Sequence, residues 1–340
     1  MSLLRSTKNV FRMLRIPFEW LGIMVGVLVL SHLPRRQMQR LCDILSLVMY
    51  AVDRKGRKLA LFNLRIVMGK EEVRKLSFAA LRYVKLSPPT PREAKILRRS
   101  YRNMARTIGH AFWTCRNAKS RVSEAGEMSE SGKRFLAENR TAVTVSGHLG
   151  CWEILSQLAF LENHRMMSVA KDIGTSGMTR LLMKSRMSIG QEIVHAEGAF
   201  RPLMQGIKEG KSLGLLVDQV VKPKNGGIWV RFFGRPMPVS AGPAFFAAKG
   251  KAPVAVAWSR PLHDGRYRCD VVSVYSAQDA RDVWGLTQRC ISDLEGVIRR
   301  HPSCWVLNYR YFRKVPASDE LAQLEAREAE KKFPLPKKPK

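Results

Sequence analysis

The sequence predicts an α/β fold: a central sheet, mostly parallel or mixed, flanked by helices and preceded by a helical membrane-associating region at the N-terminus. Three observations carry this. From Arg140 onward, short β-branched or apolar runs alternate with helical patterns, the rhythm of strands joined by crossover helices. Before that point, apolar residues recur at helical spacing. Near the N-terminus an uncharged run, Trp20 to Leu33, lies between basic flanks.

That run follows Arg5, Lys8, Arg12 and Arg15 and stops at Pro34, Arg35 and Arg36. It falls short of the roughly twenty residues that span a hydrocarbon core. No small-residue cleavage site follows it, so it reads as an uncleaved, shallow or re-entrant anchor with Trp20 at the interface, or as a buried helix covering the globular body. Gln37 to Val52, Arg57 to Met68 and Pro91 to Phe112 then read as helices, the last opened by Thr90, Pro91 and Glu93. Lys119 to Gly132, rich in Ser, Glu and Gly, reads as a linker or exposed loop. Strands are predicted at Thr141–Val145, Met167–Ala170, Glu192–His195 and Leu213–Val217, and helices at Trp152–Leu161, Thr175–Ser188 and Phe200–Glu209. Ile228 to Gly234 reads as a β-hairpin arm with a buried aromatic pair, or as lining of a lipid site, and Trp305 as core. From Glu320 onward the tail is a charged helix ending in KKFPLPKKPK, read as disordered and solvated or as a further contact to anionic membrane. The resulting division is 1–52 anchor and amphipathic helix, 53–135 helical region and linker, 136–316 α/β core, and 317–340 tail.

With 340 residues and 45% hydrophobic content, the chain can bury a large core. Its formal charge of +31 favours an acidic partner: nucleic acid, an anionic bilayer or an acidic carrier protein. Lys and Arg are spread along the whole chain, without zinc-ligand spacing, a recognition helix or an aromatic-basic RNA motif, so nucleic acid is not expected. The 6 cysteines are scattered and form no C-x-x-C pair, which argues against a metal site or disulfide framework and for a reducing compartment. Cys151 reads as a small buried hydrophobe rather than a nucleophile.

The chemistry-bearing stretch is TAVTVSGHLGCWEILSQLAF. Thr141 to Val145 is a strand buried on both faces, Ser146 and Gly147 end it, and helical periodicity resumes at Trp152. Inside one regular helix His148 and Glu153 would face different directions, so they meet only if His148 lies in the loop before the helix and bends back over its first turn. Placed so, the imidazole is a general base and the carboxylate its orienting partner. The same spacing also suits a capped helix with Glu153 complementing the dipole and no chemistry. Asp218, like His148, falls at the carboxyl end of its strand, where ligands collect on open sheets. Backbone amides from Gly147 to Gly150 are candidate donors to a developing oxyanion. Lys171, Lys222 and Lys224 read as solvated loop charges.

The runs FNLRIVM, GHLGCWE, GLLVDQ, IWVRFFGRPMPVSAGPAFFAAKGKAPV and WVLNYRYFRK, in that order, resemble the bacterial lipid A lauroyl/myristoyl acyltransferases of the lysophospholipid acyltransferase superfamily, over most of the chain. The resemblance implies transfer of a fatty acyl chain from a thioester, on acyl carrier protein or coenzyme A, to a hydroxyl of a phosphorylated glycolipid acceptor such as a lipid A precursor. It places His148 as base and Glu153 as orienter, and carries over Arg186, Asp218 and Gln219 as substrate-binding positions. No metal or cofactor is implied. The implied setting is the inner membrane, with the core on the cytoplasmic side against an anionic surface. Cys151 departs from the asparagine common in relatives, which bears on substrate preference. Two alternatives stay open: acyl transfer to another lipid, such as a lysophospholipid or mannosylated lipid, and a non-enzymatic basic protein that binds membrane or nucleic acid.

Overall fold

The computed structural model describes residues 22–74, 76–170, 183, 187 and 189–331. Its centre is a seven-stranded sheet built from β1 (Gly126–Met128), β2 (Val143–Ser146), β3 (Met166–Ala170), β4 (Glu192–His195), β5 (Ser212–Leu216), β8 (Val254–Pro261) and β9 (Tyr267–Tyr275), in the order β1-β9-β8-β2-β5-β3-β4. Only the β8–β9 pairing is antiparallel. This is the mostly parallel α/β sheet that the alternation predicts. β6 (Gly227–Phe232) and β7 (Arg235–Ser240) form a separate antiparallel hairpin, the arm expected at Ile228–Gly234. Strand β2 lies between β5 and β8, and Val143 and Val145 are fully buried because both faces of a central parallel strand are covered.

The main helices, in chain order, are α1 (Arg35–Val52), α2 (Arg54–Val67), α3 (Pro91–Trp113), α4 (Ala118–Ala125), α5 (Glu130–Glu138), α6 (Glu153–Leu161), α7 (Phe200–Lys208), α8 (Gly242–Gly250), α9 (Val283–Arg300) and α10 (Ser318–Lys331). Helix α1 packs along α3, tied by a two-bond contact from Arg106 Nε and Nη2 to Asp43, both at 2.6 Å. Helix α3 starts where the Thr90–Pro91–Glu93 signal places it, as a complete capping box. The capping Glu93 also accepts from Arg65 Nε and Nη2 of α2 at 2.9 and 3.0 Å, so one buried carboxylate both caps α3 and fixes α2 against it.

Two expectations need correction. The stretch Lys119–Gly132 is not a linker: it holds most of α4, the edge strand β1 and the start of α5, because Val122 and Ala125 bury against Ile154 and Leu158 of α6. The tail is the charged helix expected, over Ser318–Lys331, but it is packed rather than disordered and solvated: Leu324 is buried and Arg231 of β6 donates to Glu328 at 2.9 Å, which supplies the packing that charge alone does not. Residues 22–30 are helical, but among the described residues no helix is long and apolar enough to cross a membrane. Trp20, most of the helix expected at Thr175–Ser188, and residues 332–340 lie outside the described residues.

Removing one partner of a buried ion pair leaves the other charge uncompensated. Glu93→Ala is therefore expected to cost about 3 kcal/mol in urea unfolding. A loss below about 1 kcal/mol, the level of an exposed ion pair, would show that this junction does not hold α2 and α3 together.

Candidate active site

Strands β2 and β5 are parallel neighbours with Ser146 opposite Leu216, so the residues just beyond their carboxyl ends are brought side by side. There His148 meets Asp218. His148 lies in the loop Gly147–Trp152 and Glu153 opens α6, as the spacing argument requires.

The Asp218 side chain is fully buried and accepts three N–H groups. His148 Nδ1 donates to Oδ1 at 2.7 Å, while the His148 backbone N–H and Trp305 Nε1 both donate to Oδ2 at 2.9 Å. Burial pushes this carboxyl up, but the neighbouring imidazole and the three hydrogen bonds outweigh it, and the net effect holds the carboxyl below its ordinary range. With Nδ1–H donating to the carboxylate, the lone pair of the neutral ring sits on Nε2. The imidazole side chain retains 20% of its exposure, and Gln219 Nε2 approaches His148 Nε2 at 3.2 Å. Trp152 packs edge-on against the ring with centroids 5.0 Å apart.

Two glycines shape the loop. A Cβ on Gly147 would come within 3.2 Å of the Asp218 carboxylate, crowding the contact that seats the histidine. Gly150 has φ +60° and a Cβ there would lie 1.9 Å from the Ser259 carbonyl oxygen, so only glycine fits. Three of the four expected oxyanion donors are otherwise engaged: the amides of His148, Leu149 and Gly150 donate to Asp218 Oδ2, Gly147 O and Cys304 O. The tight loop turns these amides into its own fastenings.

A C-terminal strap closes over the loop. Leu149 bridges Trp305, and the Val306 amide donates to His148 O at 3.2 Å. The helical N-terminal region holds the strap in turn. Asn63 Nδ2 of α2 donates to the carbonyls of Leu307 and Tyr309, both at 2.7 Å; Ser100 Oγ of α3 donates to Trp305 O at 2.7 Å; and Thr107 Oγ1 donates to Gly150 O at 3.0 Å. Trp305 stacks on Tyr311 at 4.1 Å between centroids. Trp305 is thus more than the core residue the sequence predicts, since its indole N–H reaches the carboxylate that holds His148.

Glu153 lies in the first turn of α6 and is buried. Its charge acts on His110 of α3, whose Nε2 meets Gln157 Oε1 at 2.9 Å, and on Cys151. Burial is the main force on both: it pulls the His110 imidazole down and pushes the Cys151 thiol up to about 12, so Cys151 is a neutral core thiol at neutral pH. Arg186 lies outside the described residues, as does Lys171. Among the described residues no group of three or more His, Cys, Asp or Glu is placed to hold a metal ion.

A carboxylate–imidazole pair at the carboxyl edge of a parallel sheet, with the second imidazole nitrogen beside the Gln219 amide and the ring partly exposed, is an arrangement suited to taking a proton from a bound nucleophile. The family model for bacterial lipid A biosynthesis acyltransferases matches residues 81–314, more than half of the chain, and the protein belongs to that family. It is an acyltransferase of lipid A biosynthesis. Among curated proteins none matches the chain.

Trp305→Phe keeps the ring but deletes the donor to Asp218, and is expected to destabilise by about 1–3 kcal/mol in urea unfolding. Because the folded Asp218 carboxyl is lowered, its contribution to stability is complete above the unfolded value of about 3.9 and is lost as pH falls through the folded value. The stability gap between wild type and Asp218→Asn should therefore narrow below about pH 4. A gap that widened there would contradict a lowered carboxyl.

Proposed function

We propose that the protein moves a fatty acyl chain from an acyl thioester, carried by acyl carrier protein, to a hydroxyl of a lipid A precursor, with His148 as the general base. The observation that carries this reading is the 2.7 Å bond from His148 Nδ1 to the buried Asp218, which fixes the tautomer that leaves Nε2 to accept the hydroxyl proton. As the acceptor oxygen bonds to the thioester carbonyl carbon, its proton passes to Nε2; when the tetrahedral intermediate collapses, the C–S bond breaks and the thiolate takes that proton. Asp218 stabilises the imidazolium in between without taking the proton itself.

Gln219 places an amide beside Nε2 and is assigned to the reacting group, as acceptor hydroxyl or carbonyl oxygen arrives. The orienting role expected of Glu153 is assigned first to Asp218, which makes the contact. Glu153 remains as a second buried carboxylate, in the first turn of the helix that follows the histidine loop. Arg186 stays proposed as a partner for an acceptor phosphate. The charge of +31 supports both an acidic carrier protein as donor and an anionic membrane surface as the place of work. We place the protein at the inner membrane, with the catalytic core on the cytoplasmic side.

His148→Ala should abolish transfer, and Asp218→Asn should lower kcat by about 10³–10⁴-fold by allowing the wrong tautomer. If Glu153 fixes the tautomer instead, Asp218→Asn keeps wild-type kcat while Glu153→Gln loses it. Mass spectrometry of lipid A from cells lacking the gene should show the loss of one acyl chain; unchanged lipid A would exclude this acceptor.

A further inference from the structure

A cavity of about 410 Å³ lies at the junction of α1 and α2, between the end of α1 and the segment that leads into α3. Its walls include Arg54, Arg57, Lys58 and Lys85 together with Tyr50 and Tyr83, and among the described residues no carboxylate lines it. Arg57 is engaged, donating to the carbonyl of Ala51 at 2.7 Å and lying 5.0 Å from the Tyr50 ring. The nearest carboxylate in sequence, Asp53, is also engaged, with Oδ1 accepting from the Gly56 amide and Oδ2 from the Tyr101 hydroxyl. Among the described residues Arg54, Lys58 and Lys85 form no ion pair; the Glu72 carboxylate accepts from the lining Ser87 and is paired with Arg65, so three cations of the concave site keep no counter-charge of their own.

The cavity rim adjoins an apolar surface. Ile44, Val48 and Val52 follow one another at i+4 spacing on α1 and are exposed, Val52 by 72%, so they form one exposed apolar face ending beside Arg54. Tyr83, 82% exposed, and Val84 extend that surface on the other wall. An anionic head with hydrocarbon attached matches a cationic hollow that opens onto an apolar face.

We propose that this cavity binds the phosphate head of an anionic membrane phospholipid, whose tails lie along the exposed face of α1. The site is separate from the catalytic loop: Leu97 lines the cavity and Thr107 holds Gly150, ten residues further along α3, or about 15 Å at helical rise. Its role is to seat the protein on the bilayer with α1 at the interface while the catalytic loop receives substrate. This rests on the membrane-surface part of the function proposed above and not on its chemistry.

The test uses the full chain. Flotation with phosphatidylcholine vesicles containing a minor fraction of phosphatidylglycerol compares wild type with Arg54→Ala/Lys58→Ala/Lys85→Ala and with Lys119→Ala/Lys133→Ala/Lys208→Ala, which removes the same charge outside the cavity. Vesicle affinity should fall about a hundredfold in the cavity variant and by less than about tenfold in the other. Dihexanoyl phosphatidylglycerol, used below its micelle concentration, should raise the melting temperature of wild type but not of the cavity variant, and inorganic phosphate should do much less. Acyl transfer in detergent should survive in the cavity variant; its loss with vesicle binding intact would make the cavity part of the reaction instead. Equal vesicle losses in the two variants, no response to the short-chain lipid, or a response to inorganic phosphate as large as to the lipid would each overturn the proposal.

Discussion

The buried carboxylate of Asp218 is the constraint around which the rest of the site is arranged. A carboxylate without water is costly unless its lone pairs are filled, and here they are filled by groups from separate parts of the chain: the backbone and ring of His148, and the indole of Trp305. Satisfying one charge therefore fixes the end of β5, the loop after β2 and the C-terminal strap relative to one another. The same contacts leave a single imidazole nitrogen facing outward.

This arrangement gives the helical N-terminal region a role beyond covering the sheet. Asn63, Ser100 and Thr107, from α2 and α3, bond to backbone carbonyls of the strap and of the histidine loop. The Arg65–Glu93 pair ties those two helices together where α3 is capped. A chain of hydrogen bonds thus runs from the capping of α3 to the tautomer of His148. The exposed apolar face of α1 belongs to the same helical layer, which places the bilayer-facing surface proposed here one helix away from the residues that hold the active-site loop.

Much of this was legible in the sequence because it rests on local signals. Apolar runs and helical periodicity place β2, β5, α3 and α6 within a few residues of their ends, and the break at Ser146–Gly147 puts His148 in a loop. The Thr90–Pro91–Glu93 signal marks the start of α3 because a capping box is complete within four residues. What was not legible depends on partners distant in sequence. Lys119–Gly132 is polar enough to read as a linker, and becomes helix and strand only because α6 and β9 cover Val122, Ala125 and β1. The sequence reading placed no strand at β8 or β9, although the run Val254–Trp258 is apolar and becomes a buried strand beside β2. Nearness in sequence favours Glu153 as the partner of His148, whereas parallel pairing of β2 and β5 delivers Asp218 from seventy positions away. The role of Trp305 had no local signal, since an indole that completes a carboxylate's shell and one that fills core look the same in sequence.

The central claim is that Asp218 holds His148 in the tautomer protonated at Nδ1, leaving Nε2 as the base. The most direct measurement is the ¹⁵N spectrum of histidine-labelled protein above the pH at which the ring is neutral, with His148 assigned by its absence in His148→Ala. The account predicts a protonated Nδ1 and an unprotonated Nε2 for His148, changing in Asp218→Asn. A proton found on Nε2 in the wild type, or a tautomer unmoved by Asp218→Asn, would contradict it.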